Sequence, residues 1–211
     1  MPVNGPNEWT ELREWLAARI ARPIDLAAFA EHDRARLTRS LAALATALDV
    51  GSTAPDVVRG QLDLGGSPRA NDILSTHLAI ALAARTTEVR AVTPDGGLAV
   101  TDRRRLAECR ALAGDILALS PDPELIAFAA DLNRRLDRAG RWRWVEPNVW
   151  TAAVVALAVL VLPFVGSAID NPVVTAGGVL VGGALVFGFV MAHRRQQWAV
   201  DAEDAFRRPR A

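Results

Sequence analysis

Apolar and polar positions are unevenly spread along this chain of 211 residues. From position 147 to 169 no residue is formally charged, and the same holds from 171 to 193 when histidine is neutral. Asp170 alone separates the two runs. Each is about as long as the roughly 20 residues that cross the hydrocarbon core of a bilayer. The pattern therefore predicts two transmembrane helices, 148–168 and 173–192, joined by a short external loop over 169–172.

Ahead of these runs the apolar positions follow a helical period. Trp9, Leu12, Leu16 and Ile20 predict a helix over 8–22, with Asn7 as its cap and Pro23 as its stop. Asp25 then caps a longer predicted helix to about position 49, carrying a stripe of Leu37, Leu41, Leu44 and Leu48. Gly51 sits where a terminating glycine is expected. Positions 51–69 are rich in Gly, Ser and Pro and read as a loop, with one short turn of helix after Pro55. A third helix is predicted over 71–86, with Ile73, Leu74, His77, Leu78, Ile80 and Leu82. Segments 88–93 and 98–101 flank Pro94-Asp95-Gly96-Gly97, where Pro sets φ and Gly accepts the positive φ that closes a turn, so a β-hairpin is expected at about 88–101. Asp102 caps a fourth helix ending near Leu119. A fifth, over 123–139, aligns Leu125, Phe128, Leu132 and Leu136 and ends at Gly140.

The predicted fold is mainly α: a cytosolic helical bundle over 1–140 with one small β-hairpin, then a C-terminal two-helix transmembrane hairpin. A juxtamembrane collar of Arg and Trp (141–147) leads in. A partly helical cytosolic tail (193–211) leads out, continuing the second span as helix toward Phe206 until Pro209.

Flanking charge sets the orientation. Arg134, Arg135, Arg138, Arg141 and Arg143 precede the first span, and Arg194, Arg195, Arg207, Arg208 and Arg210 follow the second. The connecting loop has no basic residue, so the positive-inside rule places both termini in the cytoplasm and the chain in the cell membrane. Trp142, Trp144, Trp150 and Trp198 lie beside the spans, where an amphipathic indole suits the headgroup layer. Arg141-Trp142-Arg143-Trp144 would resemble a membrane-lytic peptide if free; beside a span it reads as a snorkelling interfacial collar. A buried hairpin in a soluble protein is the alternative for the two runs, and the matching Arg and Trp flanks argue against it.

Small residues recur in both spans. Gly178 and Gly182 make a GxxxG, Ala184 and Gly188 a second pair, and Ala152 with Ala156 has the same spacing in the first span. Such residues let helix backbones approach closely in lipid. Packing within the hairpin uses one face only, so a homo-oligomer through the transmembrane helices is also expected. Pro163 is placed to kink or end the first span.

Composition narrows the chemistry. All 24 basic residues are Arg, there is no Tyr, and the basic and acidic totals are equal. Without Lys there is no Walker A loop, Schiff-base lysine or kinase ion pair. An all-Arg, Ala-rich composition fits a high-GC bacterial genome. The single Cys109 excludes an internal disulfide and a multi-Cys metal site and reads as a buried structural thiol. The N-terminal sequence has neither the basic nor the apolar region of a cleavable signal peptide. His32 reads as a solvated helix-face residue, His77 as a core or boundary residue, and His193 as the cytoplasmic end of the second span. No HExxH or i, i+4 ligand pair is present. No cofactor, metal or catalytic residue is assigned.

Arg103, Arg104 and Arg105 form the densest charge cluster, at a helix N-terminus where positive charge opposes the macrodipole. They are candidates for contact with phosphate, from lipid or nucleic acid, against the plainer reading of a solvated face. The element order also resembles a winged helix, with 71–86 as recognition helix and 88–101 as wing. Over 1–146, however, 19 Arg face 20 Asp and Glu, a net charge of −1 that argues against nucleic acid.

The expected function is a membrane-anchored, non-enzymatic interaction or regulatory protein with an as yet unidentified protein partner. The alternatives are an oligomerising, channel-like or membrane-permeabilising effector, and a membrane-tethered DNA-binding regulator.

Overall fold

The computed structural model describes residues 7–168 and 171–207. Within them the chain is mainly helical, with nine α-helices and two small antiparallel sheets. It divides into two compact units: residues 1–140 with 198–211, and residues 141–197.

The first unit begins with α1 (Glu8–Ile20), a 3-10 turn (Leu26–Ala28), α2 (Glu31–Leu44), α3 (Ala54–Asp63) and α4 (Pro68–Val89). Helix α4 is its centre. From His77 to Ala84 every residue is buried, and α1, α2, α3, α5 (Arg103–Leu119) and α6 (Pro123–Ala139) all pack on it. A helix apolar on all sides is stable only when enclosed. Ala79, Ala81, Ala83 and Ala84 alternate with Leu78, Ile80 and Leu82, keeping the surrounding backbones close. Strands β1 (Ala91–Val92) and β2 (Leu98–Ala99) form the small hairpin between α4 and α5.

Four expectations are corrected here. Asn7 precedes α1, but its φ is 80° and its side chain caps nothing. The hairpin turn does the capping. Asp95 O accepts from the Asn7 N–H and Gly96 O from the Trp9 N–H, each at 3.0 Å, so two otherwise unsatisfied donors at the start of the chain's first helix are met by carbonyls about ninety residues away. Gly96, at φ 81°, permits this approach, since a Cβ there would stand 2.9 Å from the Asn7 nitrogen. Secondly, the helix expected from Asp25 to position 49 is broken. Asp25 does cap a turn, accepting from the Ala27 N–H at 3.1 Å, but Phe29 is extended and buried against Leu37, Ala70 and Leu74. Arg34 then binds the Leu26 and Phe29 carbonyls, and α2 ends at Leu44.

Thirdly, the 51–69 loop contains a full helix, α3, which buries Val58 and half-buries Leu62 one turn later. Its Gly and Pro content hid an amphipathic pair. Lastly, α4 is longer than expected, because Ser67 caps it through the Ala70 N–H and Pro68 fits the first turn. Asp102 caps α5 as expected, and Asp122 caps α6.

The second unit holds β3 (Trp142–Trp144), α7 (Val149–Ala168), α8 (Pro172–His193) and β4 (Arg194–Gln196). Helices α7 and α8 pack along each other. Among the described residues, one helix, α8, is long and apolar enough to cross a membrane; in α7 the corresponding described stretch is the shorter Val149–Val161. The side chain of Pro163 and the first half of the expected external loop, positions 169 and 170, lie outside the described residues. The helix expected to run on from position 193 is interrupted instead. Arg194–Gln196 pairs antiparallel with Trp142–Trp144, and helix resumes only as α9 (Gln197–Arg207). Hydrogen bonds from Val145 N–H to His193 O and from Gln197 N–H to Arg141 O, both 2.9 Å, extend the ladder at its two ends. Arg-Arg-Gln has no local preference for a strand. It takes one because the helical hairpin brings its own two ends together, and Pro147 keeps the chain before α7 extended.

Within the first unit α9 is not a free tail. Trp198 packs against the main core cluster, so the segment 141–197 is an insertion between two parts of one unit.

Candidate functional site

The most unusual surface belongs to the helical hairpin. Of the 26 large hydrophobic residues exposed among the described residues, seventeen lie in α7 and α8, among them Trp150 at 78%, Phe164 at 74%, Leu180 at 75% and Phe187 at 64%. Soluble monomers rarely expose a contiguous apolar patch beyond roughly 300–600 Å². Such a sheath in water would forfeit about 25 cal/mol for every Å² it fails to bury.

The predicted small-residue positions divide between two environments. Gly178 and Gly182 are the buried residues of α8, and the space a Gly182 Cβ would fill ends 3.7–3.8 Å away at Val159 of α7. This GxxxG is used inside the hairpin. Ala152 is half-buried, whereas Ala156, Ala184 and Gly188 are exposed, and a Cβ added at Gly177, Gly183 or Gly188 would meet no other part of the described residues within 4 Å. Gly182→Leu is thus expected to disrupt α7–α8 packing by about 1–3 kcal/mol, while Gly183→Leu is neutral. Unfolding of the two variants in detergent by a steric-trap assay checks this; equal effects would sink it.

The ribbon at the base of the hairpin collects most of the predicted interface residues. Its register sets Arg143 opposite Arg195, Trp142 opposite Gln196 and Trp144 opposite Arg194. Arg143 and Arg195 therefore share one face, and Trp142, Trp144 and Arg194 the other. Arg141, Trp142, Arg143, Trp144 and Arg194 are exposed. Trp144 packs near Phe189 and His193, with ring centroids 6.5 and 6.1 Å apart, tying ribbon to helix end, and His193 Nδ1 lies 2.8 Å from Phe189 O. Trp198, expected at the interface, instead packs in the first unit.

Arg103, Arg104 and Arg105 are exposed at the start of α5 but do not converge, because successive helical residues point apart. Arg105 donates to Thr101 Oγ1 at 3.1 Å and pairs with Asp102. His32 is exposed, its Nε2 3.3 Å from Gly65 O. Cys109 is fully buried, and burial pushes its thiol up to about 11.

Sequence reasoning missed a set of buried ion pairs in the first unit. Glu8, on α1, receives Arg90 at 3.3 Å and Arg135 at 3.0 Å on one carboxylate oxygen, and Arg135 also reaches Asp131 at 2.5 Å. Burial pushes the Asp131 carboxyl up, but Arg135 and Arg134 outweigh it and hold it below the usual range. Arg36, almost wholly buried, pairs with Asp33 on its own helix (3.0 Å) and ties α2 to α3 and α4 through Gln61 O (2.8 Å) and Asn71 (2.9 Å). Arg19 pairs with Asp122 at 2.6 Å and with Glu124. None of these partners is close in sequence except Asp33 and Asp131, so the sole available signal was Arg and Glu falling on the apolar faces of otherwise amphipathic helices.

His77 on α4 is buried, with Nδ1 2.8 Å from Ser40 Oγ on α2. Burial pushes the ring down to about 4. The folded state keeps it neutral while the unfolded chain protonates near 6.5, so this contribution is complete above pH 6.5 and is lost as pH falls toward 4, by roughly 3 kcal/mol in all. Urea unfolding at pH 7 and pH 4.5 is expected to show that loss in the parent chain and much less of it in His77→Asn. Equal acid sensitivity in the two would refute the assignment.

No group of three or more His, Cys, Asp or Glu residues placed to hold a metal occurs among the described residues. No protein-family model matches the chain, and comparison with curated proteins and with solved structures likewise yields no match.

Proposed function

We propose that this chain is a membrane-anchored, non-enzymatic interaction module. Helices α7 and α8 span the cell membrane as a hairpin, the first unit lies in the cytoplasm with both termini, and 169–172 forms the external loop. The carrying observation is the apolar sheath of the hairpin, which only a lipid solvent or a partner of similar area would satisfy. Arg-rich flanks and an uncharged connection set its direction, and the Arg and Trp residues of the ribbon suit a headgroup layer. The anchor holds the first unit at high local concentration near membrane partners.

Self-association of the hairpin through the outward Ala184 and Gly188 belongs to the same proposal, since Gly178 and Gly182 are already committed to α7. The channel-like alternative has less support: the described residues of α7 and α8 carry no ionisable side chain before His193. The DNA-binding alternative loses its recognition helix, as α4 is enclosed from His77 to Ala84.

Labelling of single-cysteine variants in a Cys109→Ser background tests the arrangement. Asn171→Cys, in the external loop, is expected to react in intact cells with an impermeant maleimide, and Val50→Cys, on a residue 96% exposed, only after permeabilisation. Reaction of both in intact cells, or of neither, would overturn it.

A further inference from the structure

A concavity in the first unit, unconnected with membrane anchorage, has the make-up of a small-molecule site. It lies between the end of α1, one face of α4 and the α5–α6 connection, with a volume of about 260 Å³. That is close to the lower end of the roughly 300–1,000 Å³ typical of ligand pockets. Its apolar wall is Ile24, Ile73, Ile80 and Pro121. Asp72, Ile73, Thr76, His77 and Ile80 all border it, the i, i+4 and i+1, i+5, i+8 positions of one helical face.

The polar groups fall into two kinds. Arg19 and Asp122 are committed to each other at 2.6 Å, and Asp122 also caps α6. Arg22 and Asp72 also border the cavity, are exposed at its edge, and have no ion-pair or side-chain hydrogen-bond partner among the described residues. A free cation and a free carboxylate thus stand at the mouth without neutralising each other. His77 also borders the cavity, its Nδ1 2.8 Å from Ser40 Oγ.

We propose that this cavity binds a small zwitterion with an apolar side chain, an α-amino acid of the leucine or phenylalanine type. Its carboxylate is received by Arg22, its ammonium group by Asp72, and its side chain by the isoleucine wall. A site of this kind makes the first unit a nutrient-responsive element, since a ligand that bridges α1 and α4 stabilises the folded unit by mass action.

The test uses the full chain in detergent micelles, titrated calorimetrically with L-leucine and L-phenylalanine, and with 4-methylpentanoate and isopentylamine, which lack the ammonium and the carboxylate respectively. At least one amino acid is expected to bind, with each truncated analogue at least about tenfold weaker. Arg22→Gln and Asp72→Asn, both on exposed residues, are each expected to weaken the amino acid by a similar factor without changing the melting temperature of the ligand-free protein. Absence of binding by either amino acid up to roughly 10 mM, the limit of meaningful affinity, would overturn the proposal. So would equal binding of 4-methylpentanoate, which would make the cavity a plain anion site, or affinity indifferent to both substitutions, which would place the ligand elsewhere.

Discussion

The intact chain is expected to stay in the membrane pellet after alkaline carbonate washing, and the paired substitution Leu180→Arg, Phe187→Arg to remove most of it from that fraction. The two positions are seven residues apart on one face of α8, both strongly exposed and well away from the Gly178–Gly182 face that meets α7. The substitution therefore leaves hairpin packing intact and alters only what the surrounding solvent meets. An Arg near the centre of a span disfavours insertion by about 2.5–3.5 kcal/mol, against a favourable 0.3–0.6 kcal/mol for the Leu or Phe it replaces. Two such changes amount to roughly 6–8 kcal/mol. Val50→Arg, in the first unit, is the control and is expected to change nothing. Recovery of the parent chain in the supernatant without detergent would dismiss the membrane reading outright.

Glu8→Ala is expected to destabilise the first unit by about 3–5 kcal/mol, the range for removing one partner of a buried ion pair. Glu8 and Arg90 are both nearly buried, and one Glu8 oxygen accepts from Arg90 and from Arg135. Burial pulls the Arg90 guanidinium below its ordinary value and the Glu8 carboxylate works against that, so its loss strands a cation among Leu12, Phe128 and Leu132. The adjacent cavity, about 20 Å³, has room for about one water, too little to solvate it. Urea unfolding of the full chain in micelles, followed by near-ultraviolet dichroism of Trp9 and Trp15, measures the loss. Glu11→Ala, on an exposed residue of the same helix, is expected to stay within about 0.5 kcal/mol. The double variant Glu8→Ala, Arg90→Met is expected to regain much of the stability, because it removes the stranded charge. A loss below about 1 kcal/mol for Glu8→Ala would show that the pair is not buried in solution.

Much of the helical architecture was legible in the linear pattern. The spacing of Leu12 and Leu16, the cap Asp102, the terminating Gly140 and the Pro-Asp-Gly-Gly turn all act within a few residues, so their physics is contained in the segment that shows them. Readings failed wherever a distant partner decided the outcome. Phe29 breaks a promising helix because α2 and α4 bury it. Arg-Arg-Gln becomes a strand because Trp-Arg-Trp lies beside it. Asn7 leaves capping to a turn nearly ninety residues away. The candidate ligand cavity was invisible for the same reason, since Arg22 and Asp72 are fifty residues apart and neither sits in a motif.

By itself, then, the sequence determined the helical class, two long uncharged apolar runs, and the lopsided placement of arginine around them. These follow from composition and period, which are properties of a segment irrespective of its neighbours. Only the tertiary structure decided that the apolar hairpin is an insertion closed by a β-ribbon, which glycines it consumes internally, and how Glu8, Arg90 and Arg135 neutralise one another inside the helical unit. Those outcomes depend on which surfaces meet, and pairwise burial between distant segments leaves no periodic trace in either of them.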